Sequence, residues 1–265
     1  MTDPRQPIQP GDPLPAAPLR PPDFVDDFTD GPDPSRWVAH YLPPWTTPDR
    51  SAGRFRSTTH GLELRIEADQ PDWRPEDAPL RVSNLQTGTF SGPVGSSRST
   101  HRHRPDGLVV RTETPLDLRW APSSGRVDVT VSASVDTGCV LAAWLVGTEH
   151  RDERESGELC LVEIDGEAVG ETTTARTGVK AHHDPRLRTD MAEVELGFDA
   201  SRPHTWTVIW GNNQTVIGCE GRVIRRLAQA PDYPLLLLVG LFEVGRPAGD
   251  YPKTAMVHRV VGWQD

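Results

Sequence analysis

SGELCLVEIDGE, residues 156 to 167, sets four carboxylates among apolar side chains in a pattern that suits an extended chain. Residues two apart on a β-strand share a face, so acids at i, i+2 and i+4 line one side of a sheet, and one bulged residue stretches the last gap to i+5. Two registers follow from spacing alone. One places Glu158, Cys160 and Glu163 on a common face with a bulge between the second and third; the other places Glu163, Asp165 and Glu167 there without a bulge.

Working outward, the same period recurs on both sides. Leu62, Leu64 and Ile66 alternate with Glu63, Arg65 and Glu67, and Val127, Val129 and Val131 alternate with Asp128, Thr130 and Ser132, as half-buried strands require. Further strands are predicted over 205–210, 214–219, 222–227, 235–242 and 256–263, each bounded by Gly, Pro, Asn or Asp. Gly221 supplies the positive φ that a tight turn between 214–219 and 222–227 needs. LRTDMAEVEL at 187–196 fits neither the helical nor the strand period and is left unassigned. An all-β sandwich follows, and 265 residues suit one such domain.

Residues 1–22 contain eight prolines and read as a disordered, extended, solvated leader, with the folded domain occupying 23–265 and its first strand near Phe24. A formal net charge of −10 and the lack of a Lys/Arg stripe argue against a nucleic acid partner. No stretch reaches the roughly 18 apolar residues of a membrane span. The N-terminus lacks the basic-then-apolar pattern of a secretory signal, and the three cysteines Cys139, Cys160 and Cys219 have no zinc or disulfide spacing. Both features point to a cytoplasmic protein with reduced thiols.

With its flanks, the central segment resembles glycoside hydrolase family 16. SGELCLVE at 156–163 is similar to the bulged form of the family's strand signature, in which Glu, Asp and Glu share a face. SGRVDVTVSA at 124–133 resembles the strand that precedes it, and AAWLVG at 142–147 the family's next segment. HTWTVIWGNNQTVIGCEGRVIRRL at 204–227 is similar to its later Trp-bearing hairpin, and DDF at 26–28 with DPSRW at 33–37 resembles its opening. YLPPWTT, LQTG and DYPLLLLVGLFE resemble actinobacterial family-16-like proteins. The resemblance covers residues 24–263 and implies a concanavalin A-like jelly-roll β-sandwich of two antiparallel sheets with a concave groove.

The resemblance implies that Glu158 is the nucleophile and Glu163 the general acid/base of a retaining glycosidase of the endo-β-glucanase type, with a β-glucan or another small-molecule ligand in the groove. Such chemistry needs two carboxyl groups about 5 Å apart, one ionised and one protonated. Cys160 stands where the family has Asp; a thiol is mostly neutral at a reference pKa of about 8.5, so hydrolysis is expected to be reduced or altered. The bulged register is preferred, which leaves Asp165 and Glu167 at the cleft's edge. A catalytic thiol activated by His182 or His183 is the rival reading of Cys160, and a buried inert cysteine the plainer one. A metal held by His182, His183 and Asp184 is disfavoured, because adjacent strand residues face opposite ways.

Trp144, Trp206 and Trp210 come from cleft-bearing segments by resemblance and are candidate sugar platforms, whereas Trp37, Trp120 and Trp263 are expected in the core. His204 is a candidate subsite residue or a partner of a nearby carbonyl. No cofactor is expected, although the resemblance leaves room for a structural calcium. Three function classes follow: a β-glucan hydrolase or transglycosylase, a noncatalytic lectin-like glycan binder, and an intracellular biosynthetic enzyme that reuses the cleft.

Overall fold

Period-two alternation becomes two antiparallel sheets face to face in the computed structural model, which describes residues 11–104 and 107–265. In chain order the strands are β1 (Phe24–Asp26), β2 (Arg54–Thr58), β3 (Gly61–Ile66), β4 (Leu80–Gln86), β5 (Gly88–Thr89), β6 (Asp117–Leu118), β7 (Gly125–Ser132) and β8 (Cys139–Gly147), then β9 (Glu158–Asp165), β10 (Thr173–Lys180), β11 (Asp190–Leu196), β12 (His204–Gly211), β13 (Gln214–Cys219), β14 (Arg222–Leu227), β15 (Leu235–Val244) and β16 (Lys253–Gln264). One sheet runs β14-β13-β12-β7-β16-β3-β2 with β1 on β16, and the other runs β11-β10-β9-β8-β15-β4. This is a jelly-roll β-sandwich. None of the described helices is long and apolar enough to cross a membrane.

Alternation decides which side chains fill the space between the sheets. Val127, Val129 and Val131 of β7 meet Leu141, Ala143 and Leu145 of β8 there, together with Trp206, Val208 and Trp210 of β12. Each such fully buried large side chain stabilises the fold by about 1.5–3 kcal/mol. Trp37 and Trp120 join this core and Trp263 is also buried, as expected. The β13–β14 hairpin turns at Glu220 and Gly221, both with positive φ.

LLLLVGLF in β15 is buried on both faces. Leu235, Leu237, Val239 and Leu241 point into the sandwich, while Leu236 and Leu238 point outward beneath a second cluster containing Tyr41, Leu42, Trp45 and Trp73. A strand covered on both sides reads as a continuous apolar run. The covering loops roof part of the six-stranded sheet's outer face and leave a pocket beside them.

Two stretches differ from the sequence expectations. Asp190–Leu196, within the unassigned 187–196, is the edge strand β11 on β10; an edge strand with one exposed face carries a weak apolar signal. In the proline-rich leader, residues 11–14 pair with β14 where a solvated arm is expected. The Gly11 N–H donates to Val223 O at 2.7 Å, the Leu14 N–H to Gly221 O at 2.8 Å, and the Val223 N–H to Asp12 O at 2.8 Å. Pro13 lacks an N–H, yet its neighbours supply the donors that the edge of β14 lacks. The leader expected over residues 1–10 lies outside the described residues.

Candidate functional site

The site is built on the outward faces of β8, β9, β10 and β15. On β9, Leu159, Leu161, Val162 and Ile164 enter the sandwich core. Two consecutive inward residues, Leu161 and Val162, require a bulge. Pairing shows it: Val162 opposes Ala143 while Cys160 opposes Trp144, and Glu163 opposes Arg176 while Cys160 opposes Gly178. Glu158, Cys160 and Glu163 therefore share the outer face, with donor atoms within 4.8 Å of one another. Glu167 leaves the strand in a 3-10 turn and accepts the Gly138 N–H, so the unbulged register does not assemble.

Opposite charges face the two glutamates from β10 in register. Lys180 opposes Glu158, and its Nζ lies 2.9 Å from Glu158 Oε1 and 2.5 Å from Glu163 Oε1. Arg176 donates from Nε to Glu163 Oε2 at 3.2 Å and pairs through both Nη atoms with Asp165. Asp165 is thus a tether for Arg176 at the edge of the site. His182 turns back beyond β10 at φ 48° and sets Nε2 2.8 Å from Glu158 Oε2.

Burial pushes the Glu158 carboxyl up, but the His182 hydrogen bond and the charge of Lys180 overcome it and hold the pKa at about 2. Glu158 is ionised in the resting state. Burial lowers His101 to about 3, against the pull of Glu158, so its imidazole is neutral. Burial also drives the Cys160 thiol well above its usual range, and Glu163 and Glu158 add to the shift.

Cys160 is fully buried, and its Sγ donates to Arg176 O at 3.7 Å. Neither histidine activates it. His182 pairs with Glu158, while His183 donates its N–H to Ser156 Oγ and sets Nε2 3.4 Å from Arg102 O. Nor do His182, His183 and Asp184 converge on one ligand: the Asp184 carboxylate accepts from Tyr233 and Arg186. Two other trios do converge among the described residues, His101–Glu158–His182 and Glu158–Cys160–Glu163. Each contains nitrogen or sulfur, unlike the all-oxygen set that calcium takes.

A cavity of about 260 Å³ opens over the acids, walled by Tyr41, Trp144, Phe242 and His101 and floored by Glu158, Glu163 and Lys180. Trp144 lines this cavity. Trp206, Trp210 and His204 do not: all three belong to β12 in the opposite sheet. Trp206 and Trp210 fill the sandwich core, with the Trp210 indole N–H donated to Ser123 O. His204 stacks on Phe198 at 3.8 Å and lies 3.1 Å from Asp199 O, which is the carbonyl-partner alternative. Alternation shows that Trp206 and Trp210 share a face but not which side of the sandwich that face meets.

Lys180, Arg176, His101 and Tyr41 are the site residues that sequence reading missed. A signal existed for the first two: in TTARTGVK, Ala175, Thr177 and Val179 alternate with Arg176, Gly178 and Lys180, which marks a strand with a basic face. His101 lies in a loop and carries no periodic mark.

A family model described as Glycosyl hydrolases family 16 matches residues 112–259, more than half of the chain. By sequence, no curated protein matches. Among solved structures, a GlcNAcα1-4Gal-releasing endo-β-galactosidase from Clostridium perfringens superposes with a TM-score of 0.79 at 20% identity, covering 94% of this chain. This chain spans 65% of the length of that enzyme. A non-specific endo-β-1,3(4)-glucanase crystallised with 1,3-β-D-cellotriosyl-glucose gives 0.64 at 16% identity, covering 97% of this chain and 99% of that one. A β-glucanase from Bacillus licheniformis gives 0.61 at 14% identity, covering 94% and 100%. At such identities the structural likeness establishes the jelly-roll fold. From the span of the family match, the chain belongs to glycosyl hydrolases family 16.

Proposed function

We propose that this chain hydrolyses a β-linked glycan with retention of anomeric configuration, using Glu158 as nucleophile and Glu163 as general acid/base. The observation that carries the reading is the placement of both glutamates on one face of a bulged strand, with carboxylate oxygens within 4.8 Å. Retaining chemistry uses a separation of about 5–5.5 Å, where inverting chemistry needs more room for a water. Glu158 is ionised and supported by His182 and Lys180. It attacks the anomeric carbon while Glu163 protonates the leaving oxygen, and Glu163 then takes a proton from the water that releases the sugar.

Aromatic walls suit the apolar face of a pyranose, and Trp144 and Tyr41 flank the acids. The cavity of about 260 Å³ is small beside the roughly 300–1,000 Å³ of drug-sized ligand sites. It fits the ring at the cleavage point, with the rest of the chain lying outside. A β-glucan is the proposed substrate class, in line with the glucanases that share the fold.

A second reading, noncatalytic glycan binding, is favoured by one feature. Both oxygens of Glu163 are engaged by cations, Lys180 on one and Arg176 on the other, so the proposed acid is tied down at rest and must be released by substrate. Reducing-end release from laminarin and mixed-linkage glucan separates the two. Weak activity abolished in both Glu158→Gln and Glu163→Gln supports hydrolysis; release unchanged in both variants sinks it. Retarded migration in a glucan-containing gel without any release supports binding alone.

A further inference from the structure

The histidines beside Glu158 can do more than support a carboxylate. We propose that His101, Glu158 and His182 form a binding site for a divalent first-row transition ion of the zinc class. Their donor atoms lie within 4.8 Å of one another, and His101 and Glu158 line the cavity. Two imidazoles with one carboxylate on one side of an ion leave the remaining coordination positions open, a set that suits zinc or ferrous iron and not calcium or magnesium.

The geometry is close to assembled. Ligands about 2.0–2.1 Å from an ion sit roughly 3 Å apart at near-right or tetrahedral angles, and His182 Nε2 is already 2.8 Å from Glu158 Oε2. The His101 ring meets the His182 ring edge to face with centroids 5.2 Å apart, so a modest side-chain rotation brings its nitrogen in.

A second, independent observation is that no described protein group hydrogen-bonds the His101 ring nitrogens. The residue is 8% exposed and faces the cavity. The backbone is bent to put it there. His101 and His182 both adopt left-handed conformations, at φ 55° and 48°, and non-glycine residues held in that region cluster at functional sites. The buried Glu149 carboxylate anchors the His101 turn by accepting the Arg102 N–H at 3.2 Å and pairing with Arg102 Nε at 3.1 Å.

Lys180 is the competing cation. Its Nζ contacts Glu158 but also Glu163 at 2.5 Å, so it has a carboxylate to retire to when an ion takes Glu158. Occupancy removes the free carboxylate from the proposed nucleophile, and the ion acts as an inhibitor of hydrolysis if hydrolysis occurs. Binding itself does not depend on that activity.

The test is calorimetric titration of the full chain with Zn²⁺, with Co²⁺ absorption as a second readout. One ion per chain is expected, weakened at least tenfold in His101→Ala and in His182→Ala, unchanged in His183→Ala, and tightened in Lys180→Met. Bound Co²⁺ is expected to give visible ligand-field bands that weaken in both ligand variants, with circular dichroism confirming that each variant is folded. Absence of binding by the wild-type chain, or affinity and bands unaltered in folded His101→Ala and His182→Ala, overturns the proposal whatever the glycan assays show.

Discussion

Lys180→Met tests whether the resting site is the ionic cluster described. Lys180 Nζ sits 2.9 Å from Glu158 Oε1, and the two side chains are 30% and 4% exposed. At an effective dielectric constant of 20 the attraction over that distance is ~6 kcal/mol. Desolvation of Glu158 and the ordering of a long side chain offset most of it, leaving a net coupling of ~2 kcal/mol. Removing Lys180 also leaves two carboxylates within 4.8 Å of each other, although His182 still supports Glu158 and Arg176 still holds Glu163. Lys180→Met is therefore expected to destabilise the fold by ~2–3 kcal/mol in urea unfolding near neutral pH, with an unchanged dependence on denaturant. In a cycle with Glu158→Gln, the double variant is expected to lose ~2 kcal/mol less than the sum of the single losses. Additivity within ~0.5 kcal/mol would refute the reasoning, because it would mean that Lys180 does not hold Glu158 in solution.

The two classes of tryptophan give opposite signatures: Trp206→Ala empties a site in the core and is expected to cost about 3–5 kcal/mol of stability, while Trp144→Ala is expected to weaken glucan retardation in affinity gels at a smaller cost in stability. Equal effects on binding would contradict the placement of Trp206 in the opposite sheet. All three cysteines are buried thiols whose pKa values burial pushes up, Cys139 and Cys219 to about 12 and Cys160 well above its usual range; a disulfide-exchange reagent is expected to leave them untouched until the protein unfolds, and a fast-reacting native thiol would count against it. Glu63 is buried, which raises its pKa, but hydrogen bonds from Arg56 and Arg65 bring it below the ordinary 4.5. A lowered folded pKa contributes stability that is present above pH 4.5 and lost as pH falls through the folded value, so urea midpoints of Glu63→Gln are expected to fall less steeply than wild type between about pH 6 and pH 3; parallel curves would show that the pair contributes nothing.

Local geometry that repeats along the chain is written in the residues themselves. Alternation marked Leu62–Leu64–Ile66 and Val127–Val129–Val131 as strands, and Glu220–Gly221 as a hairpin turn, because side-chain direction and turn conformation are set by near neighbours. The same logic, with the family resemblance, selected Glu158, Cys160 and Glu163 as one face of a bulged strand. Tertiary structure alone decided what meets that face. Lys180 and Arg176 reach the glutamates through strand pairing, His182 through a turn beyond β10, and His101 through a distant loop, and no spacing in the sequence encodes those distances. Trp206 and Trp210 show the same boundary from the other side. Period two placed them together, but a sandwich offers every strand an inner and an outer face, and only the packing of one sheet on the other sent both indoles into the core.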